Sequence, residues 1–100
     1  MKLATVISAL SLASAVQACA KYKNCHCYDD KGMPDDVATR YACPTTMEQR
    51  TELGVTYHEC HGYETTLFGP IALSNCRFRR WCRLAGATGG DASCRNKVRG

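Results

Sequence analysis

The sequence predicts a small α+β domain in which disulfides, and not a large core, hold two helices against an antiparallel sheet. Two observations support this prediction. The chain has 100 residues and eight cysteines, and segments with the two-residue period of strands alternate with segments that have the period of helices. A core of this size stabilises a fold by only about 3–5 kcal/mol, so we expect four disulfides, each contributing about 2–4 kcal/mol.

Residues 1–18 have the layout of a secretory signal peptide. A basic residue next to the first methionine is followed by an uncharged, weakly apolar run over residues 3–18, which is shorter than a strongly apolar transmembrane span. Small residues allow cleavage after Ala18 or after Ala20. Only the first cut keeps Cys19 and an even number of cysteines. We therefore predict a signal peptide over 1–18 and one domain over 19–100, secreted to the extracellular space and without a transmembrane segment.

The first half of this domain is predicted to form a strand, a turn at Asp29-Asp30-Lys31-Gly32 and a helix. Residues 23–28 are predicted to form a strand in which Cys25 and Cys27 point to the same face. Residues 34–43 carry apolar side chains at helical spacing, with Pro34 expected at the first helical position and acidic residues in the first turn. The polar residues 45–54 are predicted to form a connection.

The second half of the domain is predicted to form two strands, a second helix and a last strand. Residues 55–61 are rich in strand formers and are expected to form a hairpin with residues 64–68. A helix capped by residue 74 or 75 runs to about residue 85. Its apolar side chains Phe78, Trp81 and Cys82 are expected to face the core. Residues 91–98 are predicted to form the last strand.

This succession of strand, helix, strand, strand, helix and strand is the βαββαβ order of ferredoxin-like folds. We therefore predict a two-layer sandwich with both helices on one face of a four-stranded antiparallel sheet. Disulfides between strands and helices would join the layers, but eight cysteines permit about a hundred pairings, among which the residues do not choose. The predicted half-cystines are Cys19, Cys25, Cys27, Cys43, Cys60, Cys76, Cys82 and Cys94.

Charge is distributed unevenly along the chain. Residues 21–64 carry five basic and eight acidic side chains, whereas residues 77–99 carry seven basic side chains and one acidic side chain. The basic region is a candidate surface for an acidic protein or an anionic surface, or else a solvated face that binds nothing. A nucleic-acid partner is not expected, because Phe78 and Trp81 are assigned to the core and cannot stack on bases. The candidate binding residues are Arg77, Arg79, Arg80, Arg83, Arg95, Lys97 and Arg99.

The run His58-Glu59-Cys60-His61 is the densest group of residue types used in catalysis. In a strand His58 and His61 point to opposite faces and do not share a metal ion, and the spacing of Cys and His residues matches no zinc-finger pattern. Cys60 is expected in a disulfide. We predict a monomer that is not an enzyme and has no catalytic residue, metal or cofactor. In the alternative of a small secreted ribonuclease, the base, acid and phosphate clamp would be His58 or His61, Glu59 or Glu64, and Arg77.

Several segments together resemble a known group of proteins. They are the signal peptide, Lys-Tyr-Lys-Asn-Cys25-His-Cys27, the helix to Cys43, Ser-Asn-Cys76-Arg-Phe-Arg-Arg-Trp-Cys82 with the following Ala-Gly-Ala-Thr-Gly, and Ser-Cys94-Arg. The chain resembles small cysteine-rich secreted effectors of plant-pathogenic fungi, in particular the biotrophy-associated secreted proteins, which are linked to a killer-toxin-like fold of the ferredoxin-like type. The resemblance implies a non-enzymatic virulence-associated protein that is released during host colonisation. The alternative is a killer-toxin-like or antimicrobial protein that acts on membranes through its basic C-terminal half.

Overall fold

The computed structural model describes residues 19–99, which form six strands and two helices. The predicted signal peptide over residues 1–18 lies outside the described residues. In chain order the elements are β1 (Lys21–Cys27), α1 (Asp36–Ala42), β2 (Thr46–Glu52), β3 (Val55–His61), β4 (Tyr63–Thr66), β5 (Gly69–Ser74), α2 (Asn75–Leu84) and β6 (Ala92–Val98).

Strand β1 is the centre of the sheet. Along one edge it pairs over its whole length with β6, and Cys25 lies opposite Cys94. The other edge is shared, because β3 pairs with the second half of β1, where Cys25 faces Cys60, and β5 pairs with the first half, where Tyr22 faces Leu73. All pairs are antiparallel, and the hairpins β2–β3 and β4–β5 place β2 and β4 at the outer edges.

The predicted two-layer ferredoxin-like sandwich is therefore wrong. The structure is dominated by a six-stranded sheet, and its two helices have only 7 and 10 residues. Two strands are absent from the prediction. The polar segment Thr46–Glu52, predicted to be a connection, is β2, and the segment after Phe68 continues as β5 instead of leaving the sheet. Because β5 also pairs with β1, the first strand has three partners.

The helices begin where side chains cap their first turns. Pro34 precedes α1, contrary to the predicted first helical position, and pairs with Tyr28 in an isolated bridge. The cap of α1 is Asp35, whose carboxylate accepts a hydrogen bond from the backbone N–H of Ala38 at 3.0 Å. Ser74 caps α2 in the same way, as one of the two predicted positions.

All eight cysteines form disulfides, which confirms the prediction of a disulfide-stabilised, cysteine-rich domain. The buried core consists of four of these cysteines, Cys25, Cys27, Cys60 and Cys82, together with Ala38, Ala42, Leu73 and Phe78. Four disulfides indicate an oxidising environment such as the one outside the cell. Within the described residues, neither helix has the length and apolar character needed to cross a membrane. The bonds are Cys19–Cys76, Cys25–Cys94, Cys27–Cys82 and Cys43–Cys60.

Candidate binding surface

A groove lies between the end of α1 and α2. We call it the helix groove, and its volume is about 470 Å³. Ala42, Leu73 and Phe78 are buried at its base. Its lining residues are Tyr41, Ala42, Cys43, Pro44, Leu73, Ser74, Arg77, Phe78, Arg80 and Trp81.

Two aromatic side chains stand exposed at the groove. Tyr41 is 78% exposed and Trp81 is 48% exposed, whereas Phe78 is 3% exposed. The prediction that Trp81 faces the core together with Phe78 is therefore wrong. The premise that no aromatic side chain is available at the surface fails with it. Exposed Tyr and Trp side chains bury a large apolar area when a partner covers them, and they dominate the energetics of many interfaces.

Two of the seven candidate basic residues line this groove. Arg77 and Arg80 are both exposed, one turn apart on α2. The arginines between residues 19 and 99 that form ion pairs are Arg50 and Arg95, which pair with Glu52 and Glu59. Arg77 and Arg80 thus offer guanidinium groups that no carboxylate of the described chain neutralises.

The other five basic candidates do not line the helix groove, although Arg83 lies one turn after Arg80 on α2. On α2, Arg79 is half-buried and Arg83 donates a hydrogen bond to the carbonyl oxygen of Gly90 at 2.9 Å. Lys97 and Arg99 line a separate cavity beside the N-terminal end of β1. Arg95 lies on the sheet face opposite Cys94, because successive strand residues alternate between faces, and its guanidinium contacts Glu59.

The sheet face that carries Arg95 holds a buried polar network. Glu59 is 2% exposed, and its carboxylate accepts hydrogen bonds from Arg95 and from the side-chain amide of Asn24 at 3.2 Å. The Asn24 oxygen in turn accepts a hydrogen bond from Asn96 at 3.0 Å. These contacts join β1, β3 and β6. A buried carboxylate that loses its arginine is strongly destabilising, so Arg95 is needed to keep Glu59 buried.

His26, which is not among the predicted site residues, adjoins this network. Its ring lies 4.8 Å from the ring of Tyr57 on β3, measured between centroids. Burial lowers the pKa of His26, and the nearby Glu59 carboxylate offsets this only in part. The folded protein therefore favours the neutral imidazole. No pattern in the sequence signals this arrangement, because only the register of β1 against β3 brings the two rings together.

Of the residues proposed for a ribonuclease, His61 and Glu59 lie on the same face of β3. The side-chain amide of Asn24 contacts both, at 3.1 Å from Nδ1 of His61 and 3.2 Å from the Glu59 carboxylate. His58 and His61 point to opposite faces of β3, where His58 contacts Asp36 at 2.9 Å and His61 lies 3.6 Å from Glu48. Burial opposes ionisation of Asp36, but hydrogen bonds from the backbone N–H and the ring of His58 outweigh it and lower the pKa of the carboxyl group. The remaining proposed groups lie on other elements, with Glu64 on β4 and Arg77 on α2.

No free thiolate is available between residues 19 and 99, because Cys60 and all the other cysteines of the described chain form disulfides. In the same range, no three His, Cys, Asp or Glu side chains lie close enough together to hold a metal ion.

A second exposed apolar feature is the turn between β4 and β5. Leu67 and Phe68 are each 99% exposed at its tip. The neighbouring Thr66 hydroxyl donates a hydrogen bond to the carbonyl oxygen of Gly69 at 2.6 Å, which closes the turn. Two fully exposed large apolar residues at a hairpin tip bury nothing in the fold and are available to an external partner.

No protein-family model, no curated protein and no solved structure matches the chain significantly.

Proposed function

We propose that the chain is a secreted effector of the fungal, virulence-associated kind, which acts by binding a host protein in the extracellular space. The observation that carries the proposal is the helix groove, where exposed Tyr41 and Trp81 stand beside Arg77 and Arg80. Tyr, Trp and Arg are the residue types that dominate binding energy at protein interfaces. The resemblance to biotrophy-associated secreted proteins supports the effector class.

The disulfides support a binding role because they fix both walls of the groove. Cys43–Cys60 ties the end of α1 to β3, and Cys27–Cys82 ties α2 to β1. A surface that is ordered before it meets its partner loses less conformational entropy on binding. The side chains of Tyr41 and Trp81 are therefore presented from two helix ends that do not have to be positioned by the partner.

Site-directed photo-crosslinking tests the proposed function. A photoreactive amino acid replaces Tyr41 at the groove, and in a control variant it replaces Leu53, which is 97% exposed at the β2–β3 turn. We expect the Tyr41 variant, incubated with host extracellular proteins, to form one discrete product that excess wild-type protein abolishes, and the Leu53 variant to form none. The absence of any competed product from both positions would overturn the proposal. So would hydrolysis of RNA by the purified protein that is lost in His58→Ala or His61→Ala.

An action on membranes is the second candidate, and the β4–β5 tip favours it. Leu67 and Phe68 resemble the apolar side chains with which peripheral proteins enter the headgroup region. Leakage of anionic vesicles that falls with salt, with charge reversal at Arg79 and Arg83, and in a Leu67→Ser/Phe68→Ser variant would support this candidate. Leu53→Ser is the matched control, because Leu53 is equally exposed at another turn. Vesicles that remain intact at every salt concentration would exclude it.

A further inference from the structure

We propose that the helix groove binds an acidic peptide segment, with one apolar side chain of the segment between Tyr41 and Trp81 and flanking carboxylates on Arg77 and Arg80. This inference rests on the proposed binding function and assigns a chemical class to the partner.

The shape of the groove fits one apolar side chain of a partner, which we call the anchor. The buried base of the groove is formed by Ala42, Leu73 and Phe78, none of which offers a side-chain hydrogen-bonding group. A volume of about 470 Å³ lies in the lower part of the range found for binding pockets. Such a site takes up one or two side chains rather than a long ligand. A Leu or Phe side chain of a partner would lose most of its contact with water there, which is the main source of binding free energy.

The two arginines at the groove determine which residues of a partner can lie beside its apolar side chain. Arg77 and Arg80 are exposed, and among residues 19–99 no carboxylate lines the groove or pairs with them. A guanidinium group can form two parallel hydrogen bonds with a carboxylate. Acidic residues beside the anchor would therefore gain paired contacts, whereas basic residues would be repelled.

The same features favour a peptide over a single-stranded nucleic acid. A nucleic-acid groove follows a backbone of phosphates and offers successive aromatic platforms for successive bases. Here Tyr41 and Trp81 line a single apolar groove. Arg95, Lys97 and Arg99 lie away from α2, at the opposite sheet face and at the separate cavity. One anchor with charge on its flanks is the pattern of a peptide.

Trp81 allows a direct measurement, because it is the only tryptophan in the chain and lines the groove. The probes are short synthetic peptides without tryptophan. The first has a central Leu flanked by Asp residues, the second has Gly in place of Leu, and the third has Lys in place of Asp. A short single-stranded RNA is the fourth probe. We expect only the first peptide to produce a saturable blue shift of Trp81 emission, and we expect its affinity to fall with salt.

Charge reversal at the groove has a matched control at another surface. Arg77→Glu and Arg80→Glu are each expected to weaken binding of the first peptide about tenfold or more. Arg99→Glu changes the net charge equally at an exposed residue that lines the other cavity, and we expect it to leave the affinity within about twofold. All three positions are at the surface, so the variants should form the same four disulfides, which intact mass verifies.

Three results would overturn the inference. They are equal binding of the Leu and Gly peptides, an affinity that Arg77→Glu and Arg80→Glu do not change, and tighter binding of RNA than of the first peptide. A competed crosslink from Tyr41 together with no peptide binding would refute the acidic class and leave the proposed function intact. A competed crosslink from Leu53 alone would retain the binding function and exclude the helix groove as its site.

Discussion

Removal of the Cys25–Cys94 disulfide is expected to cost the folded protein much less than its span along the chain implies. The bond joins residues 69 positions apart, and the chain-entropy relation gives about 4.4 kcal/mol for a loop of that length. However, Cys27–Cys82 lies beside it and persists in the unfolded chain. Closing Cys25–Cys94 then completes a covalent ring of only about 14 residues, for which the same relation gives about 3 kcal/mol.

The Cys43–Cys60 disulfide is the matched comparison. Its partners are 17 positions apart with no other half-cystine between them, so its removal is expected to cost about 3.1 kcal/mol. Cys25 and Cys60 are fully buried, and Cys94 and Cys43 are partly buried, so the packing lost on replacement is similar for the two bonds.

Urea unfolding under non-reducing conditions measures both losses. The variants are Cys25→Ala/Cys94→Ala and Cys43→Ala/Cys60→Ala, and we expect their free energies of unfolding to agree within about 0.5 kcal/mol. If the Cys25/Cys94 variant is instead less stable than the other by about 1.2 kcal/mol or more, the full sequence separation governs the loss. The neighbouring Cys27–Cys82 bond then does not shorten the loop that Cys25–Cys94 closes.

Four further predictions concern packing, pH and processing. Phe78→Ala is expected to cost about 3–5 kcal/mol in urea unfolding because Phe78 is 3% exposed, whereas Trp81→Ala should cost far less because Trp81 is 48% exposed. Because the pKa of folded His26 is lowered from 6.5, the unfolded chain binds the proton more readily. Stability should therefore fall as the pH drops below about 6.5, and His26→Asn should remove that step from the pH profile. The pKa of Asp36 is lowered from 3.8, so its contribution to stability should be complete above that pH and disappear at lower pH, while Asp36→Asn should lack this acid-dependent loss. Because Cys19 bonds to Cys76, intact mass and N-terminal sequencing of the secreted protein should show a start at Cys19 and a gain of eight hydrogens on reduction, and a start two residues later would leave one free thiol.

The sequence predicts best those elements whose own residues carry the signal. Strand β3 has the predicted bounds Val55–His61, and Ser74 caps α2 as one of the two predicted positions. Strand β2 was missed because it lies at the edge of the sheet, where both faces of Thr46–Glu52 are largely exposed and apolar residues do not alternate. Gly54 in the turn after β2 was a clue to this hairpin. Leu53 and Gly54 adopt positive φ values of 51° and 80° in a two-residue turn, and glycine favours that region.

The candidate site was predicted only in part, for a reason that both helices share. Helical spacing assigns Tyr41 with Ala42, and Trp81 with Phe78 and Cys82, to apolar faces. The structure buries only a narrow part of each face, and the two large aromatic side chains remain outside. Spacing predicts which side of a helix faces the core, but how much of that side is buried depends on the packing of the neighbouring elements. Here small residues and cystines fill most of the core, and Tyr41 and Trp81 remain outside it. Arg77 and Arg80 were identified, whereas their aromatic neighbours were not.

The arrangement of the four disulfides also determines what a protease can do to this protein. Each peptide bond between Cys19 and Cys94 lies within the span of at least one disulfide. A single cut anywhere in that region, including at the exposed turns at Leu53 and Leu67, leaves two fragments that are still covalently joined. Extracellular cleavage therefore nicks the molecule without releasing a piece of it, and the two walls of the helix groove stay attached until a reductant or a second cut separates them.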